Sequence, residues 1–133
     1  MTARVFADTN VAVYALDADP QRRERALSIM RRQPVISTQV VNEFISVLTG
    51  KQRVPRDRAN RYARILLRRC EVTSVTPQTV ERAICIGERF QISHWDALIA
   101  AAALLTSCDV LYSEDLQDSQ VFEGSLTVKN PFA

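Results

Sequence analysis

Four acidic residues stand where predicted strands end or predicted helices begin: Asp8, Glu43, Asp96 and Asp115. A fold that gathers these positions at one edge would bring four carboxylates together. Carboxylates held close to one another raise each other's pKa unless a cation neutralises them. Hard divalent cations bind such oxygen ligands, and one or two ions can activate water and stabilise the leaving oxygen of a phosphodiester. The four acids therefore indicate metal-dependent chemistry.

Three of these acids also have a purely structural interpretation. Asp8 could cap the helix that follows it, a common role for aspartate. Glu43 could be an ordinary exposed residue on the polar stripe of its helix. Asp96 could complete a capping box with Ser93, although glutamate is the usual partner there. Asp96 is the most informative of the three, because the rest of its helix is apolar and leaves it little access to water.

The fourth acid lies in a turn that contains more acidic residues than a turn needs. Residues 113–118 include Glu114, Asp115 and Asp118, and turn propensity explains one aspartate better than three acids. We choose Asp115 because it follows a predicted strand as Asp8 does. Asp118 is kept as an outer-shell candidate, and the role of Glu114 stays open. His94, close to Asp96 in sequence, is either an exposed helix-start residue or a contact for substrate phosphate.

Other catalytic chemistries have little material in this chain. His94 is the one histidine, so a zinc site or a histidine base is disfavoured. There is no Gly-rich phosphate loop and no Gly-x-Ser-x-Gly segment. Three cysteines without Cys-x-x-Cys spacing argue against a disulfide framework, and we expect buried thiols in a reducing compartment. These are Cys70, Cys85 and Cys108.

Length and composition predict one domain spanning residues 1–133. A hydrophobic content of 47% is enough for a core. The net charge of +2 does not by itself indicate nucleic-acid binding, but lysine occurs only at Lys51 and Lys129 among 17 basic residues. Arginine suits phosphate, although GC-rich coding would give the same bias. Without an apolar spanning run or an export signal, we expect no membrane association and a cytoplasmic protein.

Short predicted strands alternate with predicted helices along the chain. This order predicts an α/β fold with a central parallel sheet, whose ligands bind beyond the carboxyl ends of the strands. The predicted strands are 4–7, 34–36, 72–75, 110–112 and 126–128, and the predicted helices are 11–16, 20–32, 38–50, 56–69, 77–89 and 95–105.

Several packing expectations follow from helical spacing. Helix 95–105 is apolar almost all round, so we expect it to be buried, with Trp95 in the core rather than serving as a platform for base stacking. The apolar residues expected to pack are Val80, Ala83, Ile84 and Gly87 on helix 77–89, and helix 56–69 carries Tyr62, Ile65 and Leu66 on one side. The arginines at 61, 64 and 68 form a stripe that is a solvated face, a guide for an RNA backbone or a surface that pairs with an acidic partner.

Four segments taken together give the chain a family resemblance. It resembles the PIN domain family, and within it the VapC-type ribonuclease toxins of toxin-antitoxin pairs. Each segment alone is weak, whereas all four in this order are specific. The segments are Asp8-Thr9-Asn10, residues 41–44 (VNEF), residues 95–102 (WDALIAAA) and residues 112–116 (YSEDL).

The resemblance implies a three-layer α/β/α fold and hydrolysis of RNA by metal-activated water. It implies Mg2+ or Mn2+ bound by the four acids, and it places Asn10 and Ser113 at positions that support the acids and contact substrate. It also implies a homodimer and a cognate antitoxin that inserts a segment into the active-site groove. One departure concerns residues 113–118 (SEDLQD), where many relatives space two aspartates more closely.

Two other functions stay open. The chain could be a catalytically silent scaffold of the same fold that acts through protein contacts, although all four acids are intact. It could also be a structure-specific DNA nuclease, although it lacks extra elements for gripping a duplex. Binding of Mn2+ separates the scaffold from a nuclease, and single-stranded RNA against duplex DNA separates the two nucleases.

Overall fold

The structure is a computed structural model that describes residues 3–133. Strands and helices alternate through these residues as predicted. The strands are β1 (Val5–Ala7), β2 (Val35–Ser37), β3 (Glu71–Thr73), β4 (Val110–Tyr112), β5 (Val121–Phe122) and β6 (Leu126–Lys129). The helices are α1 (Thr9–Tyr14), α2 (Pro20–Met30), α3 (Thr38–Thr49), α4 (Arg56–Arg69), α5 (Pro77–Phe90) and α6 (His94–Leu105).

The strands form one sheet in the order β3-β2-β1-β4-β6-β5. The first five strands of this order are parallel to their neighbours. In the centre, Ala7 at the end of β1 lies opposite Tyr112 at the end of β4. The predicted α/β fold, a central and mostly parallel sheet flanked by helices, is confirmed.

Strand β5, which pairs antiparallel with β6 at the edge of the sheet, was not predicted from the sequence. The turn between them has positive φ at Glu123 (50°) and Gly124 (71°). Two residues are too few for an alternating pattern to be read. Residues that adopt positive φ are typical of hairpin turns, and Gly124 was the signal available.

The core is built from strands and helices that are apolar on more than one side. Every residue of β1 and β2 is buried, as expected of parallel strands covered on both faces. In α6, all seven residues from Ala97 to Ala103 are buried, which confirms the prediction for this helix. Its alanines let α5 pack closely alongside it.

The predicted inward face of α5 is partly right. Ala83 is buried as predicted, whereas Val80 is 37% exposed and Ile84 is 45% exposed. The other buried residues of this helix are Thr79 and Ile86. Thr79 belongs to the capping box, in which its hydroxyl accepts the backbone N–H of Thr76.

Three further side chains are more exposed than predicted. Trp95 is 64% exposed rather than part of the core, and Ile65 is 50% exposed because α4 buries only the small residues Ala59 and Ala63. Cys85 is exposed, whereas Cys108 is buried as predicted. The arginine stripe of α4 is exposed.

Two further predictions concern membrane spans and the bounds of the domain. Between residues 3 and 133, no helix is both long enough and apolar enough to cross a membrane. The predicted domain also includes Met1 and Thr2, which lie outside the described residues, and its status as one domain stays a prediction.

Candidate active site

The four predicted acids line one cleft of about 500 Å³ at the carboxyl end of the central strands. Asp8 follows β1 and Asp115 lies in the loop after β4, and these strands are parallel neighbours. Glu43 comes from the second turn of α3 and Asp96 from the first turn of α6. Residues far apart in sequence therefore share one cavity.

Asp8 is both a helix cap and a buried member of the cleft. It is only 4% exposed, and its carboxylate accepts hydrogen bonds from the Thr9 backbone N–H at 2.7 Å and the Ser113 hydroxyl at 2.7 Å. The pKa of Asp8 is raised to about 6, chiefly by burial; the hydrogen bonds from Ser113 and Thr9 lower it, and the charges of Asp115 and Glu43 raise it. The structural and functional interpretations of Asp8 are thus compatible.

Ser113 connects Asp8 to the loop after β4. Its hydroxyl donates to Asp8 and accepts the backbone N–H groups of Asp115 at 3.1 Å and Leu116 at 3.4 Å. The residue is 0% exposed. Its predicted contact with substrate stays a prediction, and the bonds that the structure shows connect it to Asp8 and to the loop backbone.

Asn10 holds Asp115 from the opposite side of the cleft. Its amide nitrogen donates to the Asp115 carboxylate at 3.1 Å, and its amide oxygen accepts the backbone N–H of Glu114 at 3.3 Å. Unlike Ser113, Asn10 lines the cleft, and its predicted contact with substrate also stays a prediction.

Glu43 is held by two side chains that the sequence analysis did not assign to the site. The Thr9 hydroxyl donates to one carboxylate oxygen at 2.8 Å, and the Gln39 amide donates to the other at 3.4 Å. The signals were present in the sequence. Thr9 follows Asp8 at the strand exit, and Gln39 lies one helical turn before Glu43 on the same polar stripe.

The alternative for Asp96, a capping box, is only half formed. The Ser93 hydroxyl accepts the backbone N–H of Asp96 at 3.1 Å. Within the described part of the chain, the backbone N–H of Ser93 does not donate a hydrogen bond to the Asp96 carboxylate in return. The carboxylate of Asp96 instead lines the cleft.

The other acids of the loop lie outside the cleft lining. Asp118 accepts the backbone N–H of Asn130 at 2.8 Å, so it fastens the loop to the end of β6. Glu114 accepts a hydrogen bond from the Tyr14 hydroxyl, which raises the pKa of Tyr14 to about 12. His94 is exposed at the start of α6. These three residues are less suited to metal binding than the four cleft acids.

The donor set of the cleft suits a hard cation, but the coordination sphere is not preformed. Carboxylate oxygens are the ligands that Mg2+ and Mn2+ prefer, and Asp115 and Glu43 repel the charge on Asp8. Over residues 3–133, however, no three His, Cys, Asp or Glu side chains lie close enough to hold an ion as placed. Binding would therefore require rotation of some of the four carboxylates toward a common centre.

Comparison with known proteins gives a family match over most of the chain. The PIN domain family model matches residues 5–121. A search of curated proteins found no match.

Solved structures show the same fold at low sequence identity. A toxin-antitoxin complex from Klebsiella pneumoniae is 20% identical with a TM-score of 0.72, and covers 98% of each chain. DNA-bound VapBC from Salmonella typhimurium is 15% identical with a TM-score of 0.73, over 98% of this chain and 99% of that one. VapC20 of Mycobacterium tuberculosis, a toxin that cleaves the sarcin-ricin loop, is 23% identical with a TM-score of 0.68, over 84% and 89%.

Proposed function

Because the chain belongs to the PIN domain family, we propose that it is a metal-dependent endoribonuclease and the toxin of a toxin-antitoxin pair. The observation that carries the proposal is the convergence of Asp8, Glu43, Asp96 and Asp115 on one cleft. These four residues are the proposed catalytic and metal-binding set. A surface role would not require four acids from four elements at one place.

The proposed ion is Mg2+ or Mn2+, bound by the four carboxylates. When bound, such an ion lowers the pKa of water and opposes the negative charge that develops on phosphate. The protein's own contribution is to hold the acids. Ser113 and Thr9 fix Asp8, Thr9 and Gln39 fix Glu43, and Asn10 fixes Asp115.

Water is the proposed nucleophile, because the cleft offers no activated side chain. Ser46 lines the cleft without a histidine beside it, and the residues that line the cavity include neither histidine nor cysteine. Lys51 is the one basic residue among them. We propose that Lys51 contacts a substrate phosphate, which a point charge on a flexible chain does readily.

The proposed antitoxin would occupy a groove that continues from the cleft. A neighbouring cavity of about 580 Å³ shares Val13, Tyr14 and Gln52 with it. A peptide in this groove would reach the acids directly. The structural relatives that are toxin-antitoxin complexes support the proposal by their fold. The homodimer stays a prediction, for which exposed Ile65, Leu67 and Ile84 offer apolar surface.

The test is cleavage of single-stranded RNA by wild type and by Asp8→Asn and Asp96→Asn, with added Mg2+ or Mn2+. Each variant should lose at least about a hundredfold in rate, since loss of even an outer-shell partner lowers activity by 10–100-fold. Asp118→Asn is the matched control, because this acid lies in the same loop but outside the cleft. Undiminished cleavage by both cleft variants would refute the assignment.

Two further measurements separate the alternatives. A silent scaffold should show no rise in melting temperature with Mn2+, whereas an ion that binds only the folded state must stabilise it. Cleavage of duplex DNA in preference to single-stranded RNA would favour the structure-specific DNA nuclease instead.

A further inference from the structure

Trp95 forms the border between the catalytic cleft and a second depression. One exposed apolar side chain is ordinary on a protein surface, so its exposure alone indicates nothing. Its position is more informative, because Trp95 precedes the cleft acid Asp96 and lines both cavities. The second depression measures about 280 Å³. Its other lining residues are Thr38, Gln39, Asn42, Glu43, Val75 and Leu98.

The lining of this depression combines flat apolar surface with amide groups. Trp95, Val75 and Leu98 supply the apolar part, and Gln39 and Asn42 supply donors and acceptors. The amide oxygen of Gln39 is buried and has no hydrogen-bond partner among residues 3–133. This oxygen has no surface that a ligand could reach, so the exposed Asn42 is the amide that can meet one.

A single side chain ties this depression to the catalytic carboxylates. The Gln39 amide nitrogen donates to the backbone carbonyl of Trp95 at 3.2 Å and to the Glu43 carboxylate at 3.4 Å. The backbone of Trp95 is therefore tied to Glu43 through Gln39. A group stacked on Trp95 would lie beside the cleft acids, because Trp95 and Glu43 line both cavities.

We propose that this depression is a subsite for one unpaired nucleobase of the RNA substrate, stacked on Trp95 and contacted at its edge by Asn42. The proposal rests on the proposed ribonuclease function. Unpaired RNA bases are recognised by stacking on aromatic side chains and by hydrogen bonds to their edges. Pockets for drug-sized ligands measure roughly 300–1,000 Å³, so a cavity of this size suits a smaller group such as one base. The subsite would position the phosphate next to that base over the four acids.

The chain offers a direct optical test, because Trp95 is its only tryptophan. Intrinsic fluorescence is measured in EDTA, so that no RNA is cut, during titration with a short single-stranded RNA. The matched probe is an oligonucleotide of the same length in which the bases are absent. Quenching by the RNA with little quenching by the abasic probe is expected. Equal quenching by both probes, or none by either, would overturn the proposal.

Kinetics provide the second measurement. Stacking on an aromatic side chain is worth about 1–3 kcal/mol per base, so Trp95→Ala should lower kcat/KM for RNA by roughly five- to 150-fold. Trp95→Phe keeps an aromatic ring and should therefore retain most of the wild-type kcat/KM. Val80→Ala, which truncates an exposed apolar residue of α5, is the control and should leave kcat/KM unchanged. Melting temperatures establish that each variant is folded.

The outcomes distinguish this proposal from the proposed function. If wild type cleaves RNA and Trp95→Ala does so within twofold of it, the subsite is wrong and the ribonuclease stands. If wild type cleaves no RNA yet base-dependent quenching persists, the ribonuclease is wrong and base binding stands. If Trp95→Ala changes the oligomeric state while kcat/KM per active site is unchanged, Trp95 contacts protein and the subsite is refuted.

Discussion

At the amino-terminal edge of the sheet Arg4 binds the acids beside it, whereas at the carboxyl edge Asp8 is buried among acids. The Arg4 guanidinium forms two hydrogen bonds with Glu71, one of them at 3.0 Å, and its backbone N–H donates to Asp109 at 3.0 Å. At the opposite edge, Asp8 accepts only the neutral donors Thr9 and Ser113. The same sheet thus places acids in two electrostatic settings.

The two settings differ in whether they stabilise the charged carboxylate. The hydrogen bond from Arg4 lowers the pKa of Glu71, so the charged form of Glu71 is stabilised. Burial instead raises the pKa of Asp8 to about 6. A carboxyl whose pKa is strongly raised by burial in a cleft is a candidate functional group.

The largest expected effect is on the pH dependence of stability, and Asp8→Asn tests it. Asp8 has a pKa near 3.8 in the unfolded chain and about 6 in the folded one, so the folded state binds more protons between these values. Wild-type stability should therefore fall as pH rises through this window, by up to about 3 kcal/mol, and stay at the lower level above it. The variant lacks this loss.

Chemical denaturation from pH 4 to pH 8 in EDTA measures the difference between wild type and variant. The contributions of the other titrating groups cancel in this difference, because both proteins share those groups. If the free energies of unfolding of wild type and variant change with pH in parallel, the charge on Asp8 does not destabilise the folded protein.

A smaller effect, on activity, is expected from Ser113→Ala. The change removes the hydroxyl that donates to Asp8 and accepts from Asp115 and Leu116, so the two carboxylates lose their common support. We expect kcat/KM for RNA to fall by about 10–100-fold, as for an outer-shell partner of a metal ligand. Ser125→Ala, at an exposed serine of the β5–β6 turn, should have no effect. A drop in stability at full activity would limit Ser113 to a structural role.

The smallest effect is expected at the amino-terminal edge. Arg4 and Glu71 have side chains that are 40% and 55% exposed, and exposed ion pairs contribute about 1 kcal/mol or less. Glu71→Gln should therefore lower stability by no more than this and leave kcat/KM unchanged. The same replacement at the other edge, Glu43→Gln, should reduce RNA cleavage strongly. Equal effects on cleavage would remove the distinction between the two edges.

Much of the secondary structure could be predicted because its signals are local. Asp19 and Thr76, each followed by proline, cap α2 and α5 where expected. The apolar character of residues 97–103 predicted their burial. These features depend on neighbours within one or two turns, which the sequence contains directly.

Other features could not be predicted because they depend on contacts between distant residues. Which residues of α5 face inward depends on its packing against α6, and Val80 and Ile84 stay exposed. The short strand β5 forms only because β6 lies beside it. Trp95 is exposed because the rest of α6, and not its first residues, enters the core.

The sequence by itself was enough to propose the chemistry of the cleft, since four acids without other catalytic groups favour a divalent cation. Tertiary structure decided that they converge. Strands β1 and β4 pair in a register that sets Ala7 opposite Tyr112. This register places the next residues, Asp8 and Ser113, side by side. It also decided which neutral side chains hold the acids, because hydrogen bonds such as Thr9 to Glu43 join residues that only the folded chain brings within 2.8 Å.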